Sequence, residues 1–178
     1  LNFVGASVVN KSTDSLSRTG ILAGESNGII ERITISNWSG GGGTPITSTV
    51  KGNYNVGGLL GKSIGARVKK VASYADVLCI HSDSDDCDGL GHAIGGLVGN
   101  IGEYQMSSNY FDNFSYIEQY YRPGVILNSM VQGNVQGNSQ VGGIAGVSHG
   151  LIMYSYSANK NANGSSPGGG VEGVTKVG

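Results

Sequence analysis

Three short stretches have the G-x-S-x-G spacing that can present a serine nucleophile on a sharp turn. They are Gly24-Glu25-Ser26-Asn27-Gly28, Gly61-Lys62-Ser63-Ile64-Gly65 and Gly146-Val147-Ser148-His149-Gly150. In acyl transfer one serine, activated by one base, attacks the carbonyl. Here three serines hold the same place in three related segments, whereas a catalytic serine is normally unique. Serine and glycine have turn chemistry of their own, so the stretches read as turns even with His149 beside Ser148. The stretch 57–63 ends in Gly-Lys-Ser, as a phosphate-binding loop does, but that loop needs glycine where Val56 stands and a helix after it. His81, His92 and His149 lie far apart, and no H-E-x-x-H spacing places two imidazoles on one helix face for zinc. No catalytic residue is assigned.

Other residues invite binding or structural chemistry. Cys79 and Cys87 are the only cysteines. In an extracellular protein they form one local disulfide; two buried free thiols are the alternative. Asp83, Asp85, Asp86 and Asp88, followed by Gly89, bring carboxylates together as the start of a calcium loop does. Their spacing does not fit the D-x-D-x-D-G register with a terminal Glu, and a solvated acidic loop is the competing reading. Calcium is the one cofactor the sequence suggests. Residues 104–124 hold Tyr104, Tyr110, Phe111, Phe114, Tyr116, Tyr120 and Tyr121, seven of the chain's thirteen aromatics, with Arg122 beside them. That concentration exceeds what a plain strand needs. Most of these rings read as anchors that pack a long segment down, each burying on the order of 150–250 Å². Aromatics and Arg are also enriched at interaction hot spots, so any surface for a glycan or protein partner is expected here, at Tyr110, Phe111, Phe114, Tyr116, Tyr120, Tyr121 and Arg122. Four N-x-[ST] sequons, at Asn10, Asn37, Asn113 and Asn163, carry no reading in so Ser- and Asn-rich a chain.

The elements that must position these residues come from a repeat. Val56-Gly57-Gly58-Leu59-Leu60-Gly61 recurs as Ile94-Gly95-Gly96-Leu97-Val98-Gly99 and as Val141-Gly142-Gly143-Ile144-Ala145-Gly146. Thr19-Gly20-Ile21-Leu22-Ala23-Gly24 is a looser copy, and Val4-Gly5-Ala6-Ser7-Val8-Val9 a weaker one. The copies ending at Gly24, Gly61, Gly99 and Gly146 are spaced 37, 38 and 47 residues apart. Such periods indicate a stacked array whose units bury their apolar sides against one another. The chain has 32 glycines in 178 residues, too many for helices at roughly 1 kcal/mol each against alanine. Short strands and tight turns are expected instead. In the motif, alternation puts Val56, Gly58 and Leu60 on one face and Gly57, Leu59 and Gly61 on the other. In the strand that follows the first turn, Ile29, Ile33 and Ile35 share one parity.

The pattern V-G-G-[LI]-x-G, a short turn, then I-x-N-S-x-x-x-G-N-V-x-G resembles the GLUG repeat of large bacterial surface proteins. Residues 141–146 carry its first half best and 126–137 its second. The resemblance spans roughly 18–37, 56–77, 94–102 and 125–157. It implies an all-β, right-handed parallel β-solenoid (β-helix) with no catalytic residues of its own. One module over 1–178 is expected, a piece of a longer array, with insertions at about 38–53, 78–93 and 104–124. A β-sandwich is the alternative fold. The family also occurs in adhesin-like proteins and in non-catalytic regions of secreted immunoglobulin A metallopeptidases. A non-enzymatic extracellular scaffold or adhesin module follows as the first functional expectation. The others are an accessory region of a secreted metallopeptidase, a self-assembling extracellular filament subunit, and a carbohydrate-active β-helix enzyme using Asp76, Lys69 and Lys70. Expected partners are a protein or glycan at a cell surface, or neighbouring solenoid repeats. The net charge of −1 without a basic patch speaks against nucleic acid. No apolar run approaches the roughly 18 residues of a membrane span. Alanine at Ser26, Ser63 or Ser148 is expected to leave function intact; selective labelling of one of them by a fluorophosphonate would contradict the turn reading.

Overall fold

A computed structural model describes residues 1–40, 42–80, 87, 90–111, 114–158 and 162–164, with the backbone alone at 103–111, 114–121 and 162–164. Among the described residues there is no helix. The chain is laid down in layers, beginning with β1 (Asn2–Val4) and β2 (Ser7–Val9). The next layer holds β3 (Ala23–Ser26), β4 (Ile29–Ser36) and β5 (Thr49–Lys51). Then come β6 (Tyr54–Gly57), β7 (Leu60–Ser63), β8 (Arg67–Ser73) and β9 (Asp76–Leu78). The following layer has β10 (His92–Gly95) and β11 (Val98–Ile101), a hairpin of β12 (Glu103–Phe111) and β13 (Phe114–Arg122), then β14 (Val125–Leu127), β15 (Met130–Val131) and β16 (Val135–Gly137). The last described layer holds β17 (Ser139–Gly142), β18 (Ala145–Ser148), β19 (Leu151–Met153), β20 (Tyr156–Ser157) and β21 (Ala162–Gly164). Equivalent strands pair in parallel into four sheets. Sheet I is β6-β10-β17, and sheet II is β3-β7-β11-β18. Sheet III is β1-β4-β8-β14-β19, extended by β15 and β20, and sheet IV is β2-β5-β9-β16-β21.

The repeat sets the register. Val56 pairs with Ile94 and Ile94 with Val141; Ala23, Leu60, Val98 and Ala145 align in the same way. Thr19 bridges Val56, so the looser copy at 19–24 is in register. Leu22, Leu59, Leu97 and Ile144 form one column, each N–H donating to the carbonyl of the next at 3.0, 2.9 and 3.0 Å. The stretch 4–9 is no motif copy: Val4 lies opposite Ser36 in sheet III and Val8 opposite Val50 in sheet IV. Its small residues imitate the motif, but its strands belong to the second half of a layer.

The motif is two strands meeting at a corner. The chain bends at Gly58 and Leu59, so Leu59 and Leu60 are both fully buried and simple alternation fails. Space, and not a positive φ, demands the glycines here. A Cβ on Gly57 would come within 2.7 Å of the Gly99 nitrogen and the Leu97 carbonyl oxygen of the next layer, and one on Gly95 within 2.7 Å of the Gly146 nitrogen. The first Gly of one copy therefore backs onto the last Gly of the next. The core stacks in columns such as Ile30–Val68–Ile126–Ile152 and Val56–Ile94–Val141. Each such side chain contributes about 1.5–3 kcal/mol on burial.

A second regularity corrects the alternation read along 29–35. Ile29 is exposed while Ile30, Ile33 and Ile35 are buried. The phase slips because Arg32 has φ +58°, and the equivalent Lys70, Asn128 and Tyr154 have φ +55°, +48° and +51°. One left-handed residue per layer in sheet III turns the chain there and moves the next inward residue by one. Asn is a residue type that tolerates this conformation. The residue after it explains the serine of the I-x-N-S pattern. Ser129 Oγ accepts the Val71 N–H at 3.2 Å, and Ser155 Oγ accepts the Ser129 N–H at 3.1 Å. Each hydroxyl also donates to the carbonyl two residues back.

Ser129→Ala leaves the Val71 N–H buried without a partner, so urea unfolding should show a loss of about 1–3 kcal/mol. Gly95→Ala should cost at least about 1–3 kcal/mol, because backbone rather than a flexible side chain must move.

Candidate functional site

The serines of the three G-x-S-x-G stretches share one column of sheet II. Ser26 pairs with Ser63, while Ile101 takes the equivalent place in the layer between Ser63 and Ser148. Ser26 Oγ accepts the Gly28 N–H at 3.2 Å and Ser148 Oγ the Gly150 N–H at 3.4 Å, the local bonds of serine turns. Ser63 is 1% exposed, and its Oγ has no partner among the described residues. Lys62 stands in strand β7, with no helix after it among the described residues. His92 lies in sheet I, stacked on Tyr54 with centroids 5.4 Å apart and hydrogen-bonded to Ser139 Oγ, whereas His149 follows β18 in sheet II.

Cys79 and Cys87 form a disulfide, with Cα atoms 5.8 Å apart. Both are buried, and the Cys79 N–H donates to the Gln136 carbonyl at 3.0 Å, tying the bridge to the next layer. It ties down the connection between β9 and β10. A disulfide suits an oxidising, extracellular setting. Asp83, Asp85, Asp86 and Asp88 lie outside the described residues. Among the described residues no three His, Cys, Asp or Glu side chains gather as a metal site requires.

The aromatic segment is a hairpin in which β12 and β13 pair antiparallel with each other. Register places Tyr110 opposite Ser115, Phe111 opposite Phe114, Asn109 opposite Tyr116, Gln105 opposite Tyr120 and Tyr104 opposite Tyr121. Residues directly opposite share a face. The aromatics are therefore distributed over both faces of the ribbon. Arg122, at its base opposite Glu103, is exposed.

A groove the sequence did not reveal runs where sheet III hands over to sheet IV. Asn37 and Thr47 lie between β4 and β5. Tyr74 and Asp76 mark the β8–β9 turn, Gln132, Gly133 and Asn134 lie between β15 and β16, and Ala158 follows β20. Together they line a groove of about 390 Å³. The corners stack as the strands do. The Tyr74 N–H donates to the Ile35 carbonyl, the Gln132 N–H to Ser73 and the Ala158 N–H to Val131, at 2.8–2.9 Å. Two lining side chains are held by backbone: Asn37 Oδ1 accepts the Ser48 N–H at 2.9 Å, and Asp76 Oδ1 accepts the Asn134 N–H at 2.8 Å. Among the described residues Asp76 is the one charged residue in the lining, which includes neither Lys69 nor Lys70. The sequence signal is a set of polar residues after β4, β8 and β15, and it becomes meaningful once register aligns the corners.

Comparison with protein-family models, curated proteins and solved structures finds no match. Among the described residues no helix is long and apolar enough to cross a membrane. Reducing the disulfide, or replacing both cysteines by serine, should lower stability by about 2–3 kcal/mol on loop-closure entropy. Thiol titration of the native oxidised chain should find no free cysteine.

Proposed function

We propose that the chain is a right-handed parallel β-solenoid of GLUG-type repeats, forming one module over 1–178. Its role is that of a non-enzymatic, extracellular adhesin-type scaffold in a large bacterial surface or secreted protein. The observation behind this reading is the in-register column of Leu22, Leu59, Leu97 and Ile144, running through four copies of the motif. A stack of that kind presents loops and insertions from a rigid body, and such loops tend to carry recognition. The three motif serines support the same reading, since two make local turn bonds and the third is buried. The partner surface belongs to the hairpin, with Tyr110, Phe111, Phe114, Tyr116, Tyr120, Tyr121 and Arg122 as its contact residues.

Replacing 104–124 by a short Gly/Ser linker tests this. The expected outcome is lost adhesion by the parent protein with a melting temperature changed little, because the ribbon's strands pair with each other and not with the four sheets. Lowered stability with adhesion intact would assign the aromatics to packing alone, and no change in either would remove both roles.

A further inference from the structure

We infer that the groove between sheets III and IV binds a neutral, hydroxyl-rich glycan lying across the layers. This rests on the surface-module reading above and supplies it with a ligand class. The argument begins with polar capacity held in place and left unused. Asn37 is fixed through Oδ1 by the Ser48 N–H, which leaves its amide NH2 group without a partner among the described residues. Asp76 is fixed through Oδ1 by the Asn134 N–H, which leaves its second oxygen in the same state. The Tyr74 hydroxyl and the side-chain amides of Gln132 and Asn134 make no protein hydrogen bond among the described residues.

The lining thus offers donors and acceptors mixed along its length, which suits sugar hydroxyls that both donate and accept. Tyr74 adds an aromatic ring, amphipathic in the way a pyranose is. Among the described residues a carboxylate and no cation line the groove, which opposes sulfated or uronic-acid glycans. Among the described lining side chains Ala158 alone is wholly apolar, which opposes a greasy ligand. The volume of about 390 Å³ falls within the range of roughly 300–1,000 Å³ typical of small-ligand sites. Layers repeat every ~4.8 Å, close to the length of one pyranose residue. A glycan crossing the layers therefore meets polar corners in three successive layers.

The test uses the full 178-residue chain in calorimetric titrations with cellohexaose, xylohexaose, mannohexaose and chitohexaose, and with hexagalacturonate as the anionic comparison. At least one neutral hexasaccharide should bind. Tyr74→Ala and Gln132→Ala should each weaken it at least tenfold, with hexagalacturonate not bound. Gln132 is exposed, so its variant should keep the melting temperature of the parent chain even if Tyr74→Ala does not. Absence of binding by all four neutral hexasaccharides at millimolar concentration would overturn the inference. So would equal or tighter binding of hexagalacturonate, or affinity unchanged by Gln132→Ala. The hairpin exchange reads adhesion and these titrations read the groove. Persisting adhesion without hexasaccharide binding would therefore overturn the groove assignment and leave the surface-module reading standing.

Discussion

The closest approach between layers sets the geometry from which the rest follows. At the corner joining sheets I and II, the backbone of one layer lies against the backbone of the next with no room for a Cβ at Gly57 or Gly95. That contact keeps Leu59 stacked on Leu97 and Leu97 on Ile144. It also brings paired strands to the spacing that parallel hydrogen bonding needs. The apolar columns then fill the interior behind the corner, Leu60 against Val98 and Val56 against Ile94. A larger residue at these glycines would separate layers at the point where both sheets turn.

The opposite side of each layer is governed by a conformational demand. One residue per layer in sheet III takes a left-handed backbone, and four different residue types accept it: Arg32, Lys70, Asn128 and Tyr154. For Arg, Lys and Tyr this conformation costs about 1–2 kcal/mol, which the buried columns on either side offset. A backbone N–H next to that turn needs a partner, and the serine hydroxyls of two layers provide one. The same column holds Ile33 and Val71 in the earlier layers. The column therefore changes from an apolar filler in the two earlier layers to a hydroxyl in the two later ones.

Stacking also converts modest sequence features into surfaces. Polar residues that separate strands within one layer become a continuous lining once three or four corners lie above one another. That is how Asn37, Tyr74, Asp76, Gln132 and Asn134 come to share a groove although they span almost a hundred positions. The hairpin arises differently. It leaves the layer after β11 and returns before β14, without interrupting sheet II or sheet III. A long insertion is tolerated because its antiparallel strands satisfy each other's backbone groups.

The sequence by itself determined the repeat, the strand class, the alignment of the motif copies and the cysteine pair. All four depend on residue type at fixed spacing: glycine where backbones touch, branched apolar residues inside, two thiols eight positions apart. It could not fix which side of a strand faces inward, because that depends on corners. Leu59 and Leu60 are both buried, and Ile30 replaces Ile29 in the core, since a bend at Gly58 and a left-handed Arg32 each shift the phase of alternation. Nor could it distinguish the stretch 4–9 from a true motif copy, since only pairing with Ser36 and Val50 places it in sheets III and IV. The groove was decided by tertiary structure alone. Its residues have no common spacing, and only the hydrogen bonds between layers bring them to one corner.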